Sequence, residues 1–228
     1  MRPRGSIQMS ETFRLGALLT LAGGFLDTYT YFTRGGVFAN AQTGNIVLLG
    51  INLTDGNWAM VLHYLIPILA FAAGVLVTEE VRRRVDGRRL HWRQVIVLAE
   101  VLLVAAVAFL PQRMNVLANV TVSFVCSMQV ESFRKVRGAT YATTMCTGNL
   151  RSGTEQFYHA LWGDRKALRQ GLTYFGVILF FIAGGAAGML CVRRWGERAA
   201  LVCAGLLLCA FLLMFCTGED AELTDSAA

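Results

Sequence analysis

Six apolar blocks, each near the length a helix needs to cross a bilayer, dominate what this chain can fold into. They run from Phe13 to Phe32, Trp58 to Thr78, Val95 to Pro111, Met114 to about Val130, Gln170 to Val192 and Ala199 to Cys216. A hydrocarbon core of ~30 Å takes about 20 helical residues, and the third block is somewhat short of that. Lipid offers backbone groups no hydrogen-bond partner, so each block is expected to be an α-helix. Composition points the same way: 16% of residues are charged and mean hydropathy is +0.49, where an ordinary soluble domain carries about a quarter charged residues. The expected fold is all-α, a polytopic helix bundle with the lipid bilayer as its main partner. Arg2, Arg4 and Arg14 ahead of the first block superficially suggest a signal peptide. No small-residue cleavage site follows and Asp27 interrupts the run, so the block reads as a retained span. Residues 1–12 are then a cytoplasmic segment, 13–216 one membrane domain and 217–228 a polar, acidic tail.

The chain also repeats itself, a feature that decides architecture wherever it occurs. Phe38-Ala39-Asn40-Ala41-Gln42-Thr43-Gly44-Asn45 matches Ala142-Thr143-Thr144-Met145-Cys146-Thr147-Gly148-Asn149 at an offset of 104, and the same offset sets Asp27 on Glu131. After a six-residue insertion, Phe71-Ala72-Ala73-Gly74 falls on Phe181-Ile182-Ala183-Gly184, and Arg83-Arg84 on Arg193-Arg194. Two copies follow, 13–111 and 117–216. With three crossings each, an odd number, they must lie in opposite orientations, as inverted repeats.

Counting Lys and Arg orients the bundle. Six spans with the N-terminus inside leave 16 basic residues on the inner side and five outside: Arg34, Arg113, Arg193, Arg194 and Arg198. If both Thr-Gly-Asn segments crossed as well, the eight-span arrangement would give 13 against 8. The positive-inside rule favours six spans with both termini in the cytoplasm, although Arg193, Arg194 and Arg198 fit that topology poorly. Trp58, Trp92, Trp162 and Trp195 all fall near span ends, where interfacial aromatics belong.

Val37 to Leu53 is apolar but short, and its partner Tyr141 to Trp162 carries Arg151, Glu155 and His159. Each is expected to be a broken or re-entrant helix, since irregular backbone at membrane depth needs protein or water around it. Thr43 and Thr147 could cap helix starts with their hydroxyls, while Gly44 and Gly148 permit close backbone approach. Asn45 and Asn149 add amides that donate and accept. Two such starts, one from each leaflet, would direct the positive ends of their dipoles at a shared site for a polar or anionic solute. Gln42, Thr43, Gly44, Asn45, Thr147, Gly148 and Asn149 are the candidate solute residues. The alternative is that both boxes merely cap and pack helices.

Gly23-Gly24-Phe25-Leu26-Asp27, then Gly36-Val37-Phe38, then Thr43-Gly44-Asn45 resemble the YoaK family of bacterial membrane proteins, catalogued as domain of unknown function 1275. The likeness covers about residues 13 to 216. It implies a multi-pass inner-membrane protein of about six spans and says nothing of a substrate.

Asp27 lies within the first span and Glu131 at the matched position of the second copy. A lone carboxylate at bilayer depth costs ~2.5 kcal/mol or more, so such groups face protein or water and mark ion pathways. The two are candidates for a coupling proton or ion, the alternative being pairing with Arg34 and Arg134. Glu100, early in the third span, could reach the basic loop. His63 and His159 read as interfacial. Gly184 and Gly188 form a small-xxx-small pair that lets helices approach within one subunit more readily than between two, though a homo-oligomer is open. The cysteines Cys126, Cys146, Cys191, Cys203, Cys209 and Cys216 show no Cys-x-x-Cys pair and no ligand spacing, so they read as small apolar groups, with no metal or cofactor. The basic residues sit beside spans, which argues against nucleic acid.

No Gly-x-Ser-x-Gly, His-Glu-x-x-His, Walker or Rossmann pattern occurs, so an enzyme is not expected. The expected function is small-solute transport or conduction across the cell membrane. The competing expectation is a non-transporting membrane scaffold or assembly factor.

Overall fold

The computed structural model describes residues 11–85 and 90–216. The acidic tail and the first ten residues of the N-terminal segment lie outside the described residues. The chain forms α1 (Phe13–Thr33), α2 (Gln42–Thr54), α3 (Trp58–Arg84), α4 (Trp92–Val107), α5 (Asn115–Ser132), α6 (Cys146–Leu161), α7 (Arg165–Trp195) and α8 (Ala200–Leu213). Between α5 and α6 a small antiparallel hairpin pairs β1 (Lys135–Val136) with β2 (Ala139–Thr140), turning through Arg137 and Gly138 at φ 48° and 78°.

Several helix starts are set by short polar side chains that satisfy backbone N–H groups left without a partner in the first turn. Thr12 accepts from the Leu15 amide, Asn57 from Met60, and Asp164 from Lys166 and Ala167. His91 and Gln94 form a reciprocal capping box at the start of α4.

Helices α1 and α5 run antiparallel through the interior. At one end the Arg137 amide donates to the Glu11 carbonyl, and at the other the Asn119 amide donates to the Arg34 carbonyl. The remaining helices pair off in matching ways. Helix α1 lies along α7 and α5 along α3; α4 packs on α5 and α8 on α1; α4 and α8 meet each other; α2 rests on α3 and α6 on α7. Two glycines at matched places make the closest of these contacts possible. A Cβ at Gly74 of α3 would collide with Ser127 and Phe124 of α5, and one at Gly184 of α7 with the Leu21 backbone of α1. Gly188, one turn on, packs against Phe25 of α1, so the small-residue pair serves contact within the subunit.

Many outward-facing helix positions are apolar. Leu76 is 71% exposed, Leu102 63% and Leu190 66%, a surface that favours lipid over water.

Among the described residues two stretches, Trp58–Arg84 and Arg165–Leu213, are long and apolar enough to cross a membrane; the second runs through α7, a 3-10 turn and α8. Six such spans were expected. Helices α1 and α5 have the length, 21 and 18 residues, but carry Thr, Ser, Asn, Asp, Gln and Glu, because their faces are largely enclosed by protein. Helix α4 is shorter than a crossing, at 16 residues.

Candidate functional site

The segments leading into the two short helices are buried at Ala39, Asn40, Thr143 and Thr144, and they converge on one stretch of α1. The Asn40 amide nitrogen Nδ2 donates to the Gly23 carbonyl at 3.0 Å, and the Asn40 backbone N–H donates to Asp27 Oδ1 at 3.2 Å. From the lead-in to α6, Thr143 O and Thr144 Cγ2 each lie 3.0 Å from where a Gly23 Cβ would stand. Asp27 is also near enough to Cys146, the first residue of α6, to interact with it electrostatically. Only a glycine at position 23 leaves room for the second segment while its carbonyl holds the first.

Helix α5 closes the cluster from the opposite side. Ser123 Oγ donates to the Ala39 carbonyl at 2.7 Å, the Cys126 thiol donates to Asn40 Oδ1, and Gln129 Nε2 donates to Thr143 Oγ1 at 2.8 Å and to the Leu19 carbonyl at 3.1 Å. Gln42 Nε2 in turn donates to the Ala39 carbonyl at 2.8 Å. Asp27, Asn40, Asn45, Ser123, Gln129, Thr143, Thr144 and Asn149 are all buried.

The Thr-Gly-Asn boxes divide residue by residue. Asn45 is 3% exposed and donates to Gln42 Oε1 at 3.1 Å, while Asn149 is 2% exposed and closes on Ala142, accepting its N–H at 3.2 Å and donating to its carbonyl at 2.7 Å. The threonines do not cap. The N-cap positions of α2 and α6 are Ala41 and Met145, which give no side-chain cap, and Thr43 and Thr147 lie exposed as the second residue of each helix. Gly44 and Gly148 meet no neighbour, so the close backbone approach expected of them occurs at Gly23, Gly74 and Gly184 instead.

The acidic residues sit in unlike places. Asp27 is in the central cluster and does not pair with Arg34. That arginine is wholly buried and docks on the C-terminal end of α4, donating to the Val107 and Leu110 carbonyls at 2.9 and 2.8 Å and to the Tyr29 hydroxyl. The negative end of the α4 dipole supplies the compensation a carboxylate would otherwise give. Glu131, by contrast, lies at the end of α5 beside Arg134, 3.2 Å away. Glu100 does not reach the basic loop; it is fully buried, with neither carboxyl oxygen hydrogen-bonded. Asn40, Ser123, Gln129 and Thr143 were not singled out from the sequence. Their only signal there is a polar residue in an apolar run, with Asn40 and Thr144 at matched places in the copies.

Two cavities open at opposite ends of α1. One, of about 690 Å³, lies at the close of α1 and α7 and includes Thr33, Gln112, Arg194, Glu197 and Arg198. The other, of about 370 Å³, lies at the close of α5 and α3 and includes Glu11, Arg82, Arg93, Glu131, Arg134 and Lys135. Both carry more basic than acidic side chains, which raises the local concentration of anions.

No curated protein and no solved structure is similar enough to match the chain. A family described as proteins of unknown function, DUF1275, matches residues 15–213. That span takes in all eight helices apart from the first two residues of α1, the central cluster and both Thr-Gly-Asn boxes, so the chain belongs to the DUF1275 family.

Proposed function

We propose that the protein is a multi-pass membrane transporter or channel for a small polar or anionic solute, built from two inverted repeats and six spans. The observation that carries this reading is the meeting of the lead-ins to α2 and α6 on Gly23 to Asp27 of α1. Helix α6 starts beside that stretch and runs back along the first half of α7, where Gly153 abuts Tyr174 and Gly171 abuts Phe157. Helix α2 starts at the same depth and ends at the turn into α3. Such a path is that of a re-entrant helix, which leaves six crossings rather than eight.

The matched pairing of helices and the antiparallel course of α1 and α5 support inversion. Opposed half-helices place two positive dipole ends toward one central region, and buried polar side chains at membrane depth mark solute and ion paths. Gln42, Thr43, Asn45, Thr147 and Asn149 line the solute path in this reading. Asp27 carries the coupling proton or ion, Glu131 stands at the mouth of the smaller cavity, and the charged cavities are the vestibules.

A scaffold is favoured by one observation: Asn149 spends both its amide groups on Ala142, as a structural brace would. Uptake into liposomes separates the readings. With purified protein under a pH gradient, transport predicts solute or ion movement that Asp27→Asn abolishes while its melting temperature barely shifts. A scaffold predicts no movement, with lost stability in Asn149→Ala.

A further inference from the structure

Helix α4 carries a carboxyl group that nothing above employs. Glu100 is 0% exposed, and both its oxygens lack a hydrogen-bond partner among the described residues. An ionised carboxylate so placed costs several kcal/mol or more unless something compensates it, so a chain that keeps one there has a use for its neutral form. Helix α4 packs chiefly between α5 and α8, and each presents a thiol to this region. Cys126 and Cys203 are both buried near Glu100, and Cys126 is also near Asp27. Those thiols tie the region to the central cluster, since Cys126 donates to Asn40 Oδ1 and Cys203 donates to the Ala22 carbonyl next to Gly23.

The charged groups facing this part of α4 are few. Asp27 lies on α1. Arg34 is held at the Val107 and Leu110 carbonyls, two turns beyond Glu100. Arg93 sits two turns before it on the same helical face and lines the smaller cavity. Between Arg93 and Glu100 the buried Ile96 and Val97 fill the interior of α4.

We propose that Glu100 is a proton-binding site that works together with Asp27. A proton taken from hydronium forms an O–H bond on a Glu100 oxygen and releases water, and that bond breaks when the proton returns to water, the carboxylate keeping the electron pair. A hard metal cation is the wrong ligand here. Sodium and calcium need a shell of several oxygens, whereas no polar group among the described residues hydrogen-bonds the Glu100 oxygens, and a proton needs only the carboxyl itself. This site deepens the transport reading by naming the coupled species and a second carrier for it.

Infrared difference spectra of the full-length protein in lipid, recorded between low and high pH, test the proposal. A carboxyl without hydrogen-bond partners absorbs at the high-frequency end of the acid carbonyl region. The expected result is such a band in the wild type, lost in Glu100→Gln, shifted in Glu100→Asp and retained in Asp27→Asn. A wild-type spectrum without it, or one unchanged in Glu100→Gln, overturns the proposal. Should Glu100→Gln not fold, modification of the wild type by a hydrophobic carbodiimide, located by peptide mass spectrometry, takes its place. Label on Glu100 supports the site and none there refutes it. A Glu100 band in protein that moves no solute or ion keeps the proton site and removes the transport reading. Proton-driven uptake without the band does the reverse.

Discussion

Asp27 and Arg34 sit two turns apart on adjoining segments of α1, yet they serve different partners, and substitutions at the two should fail differently. Asp27 accepts one backbone hydrogen bond, from Asn40. Asparagine keeps the shape and an acceptor oxygen, so Asp27→Asn is expected to abolish uptake with little change in thermal midpoint. Arg34→Leu removes the only charged donor on the Val107 and Leu110 carbonyls and leaves them buried. It should cost about 3 kcal/mol, seen as a lower unfolding midpoint in detergent. Asn149→Ala breaks two hydrogen bonds with Ala142 and should cost about 2 kcal/mol by the same assay. At this scale the sequence was a partial guide. Repetition drew attention to Asn45 and Asn149, the box residues that are buried. It could not separate them from Thr43 and Thr147, because capping depends on where the helix begins to within one residue. Arg34 was read beside Asp27 because they are close in sequence. Besides the nearby Tyr29 hydroxyl, its partners are carbonyls more than seventy positions away, a distance that local pattern does not carry.

Helix ends were more legible than side-chain partners. The apolar run beginning at Trp58 and the pause after Thr33 are consequences of burial and turn chemistry, which act locally, and α3 and α1 follow them closely. Crossing ability was less legible. Helices α1 and α5 are inner elements, and enclosure by α3, α4, α7 and α8 lets them carry polar residues that a lipid-facing helix could not. The glycine contacts give this scale its prediction. Gly184→Leu on α7 and Gly74→Leu on α3 force a side chain into the backbone or core of the neighbouring inner helix. Each should destabilise by about 3 kcal/mol or prevent folding, judged by size-exclusion profile and thermal midpoint, whereas Gly44→Leu, which meets open space, should be tolerated.

At the scale of the whole molecule, the account stands on two halves that oppose each other and share one centre. The offset of 104 between the boxes is legible in the sequence, and the contacts on Gly23 are not, because they join segments far apart along the chain. The most direct measurement uses single cysteines in a background without native cysteines. Thr43→Cys and Thr147→Cys are treated with a membrane-impermeant thiol reagent in intact cells and in inverted vesicles. The account predicts that both react, one from each side of the membrane, with reaction slowed by bound solute. Reaction of both from the same side, or of neither from either side, would contradict it.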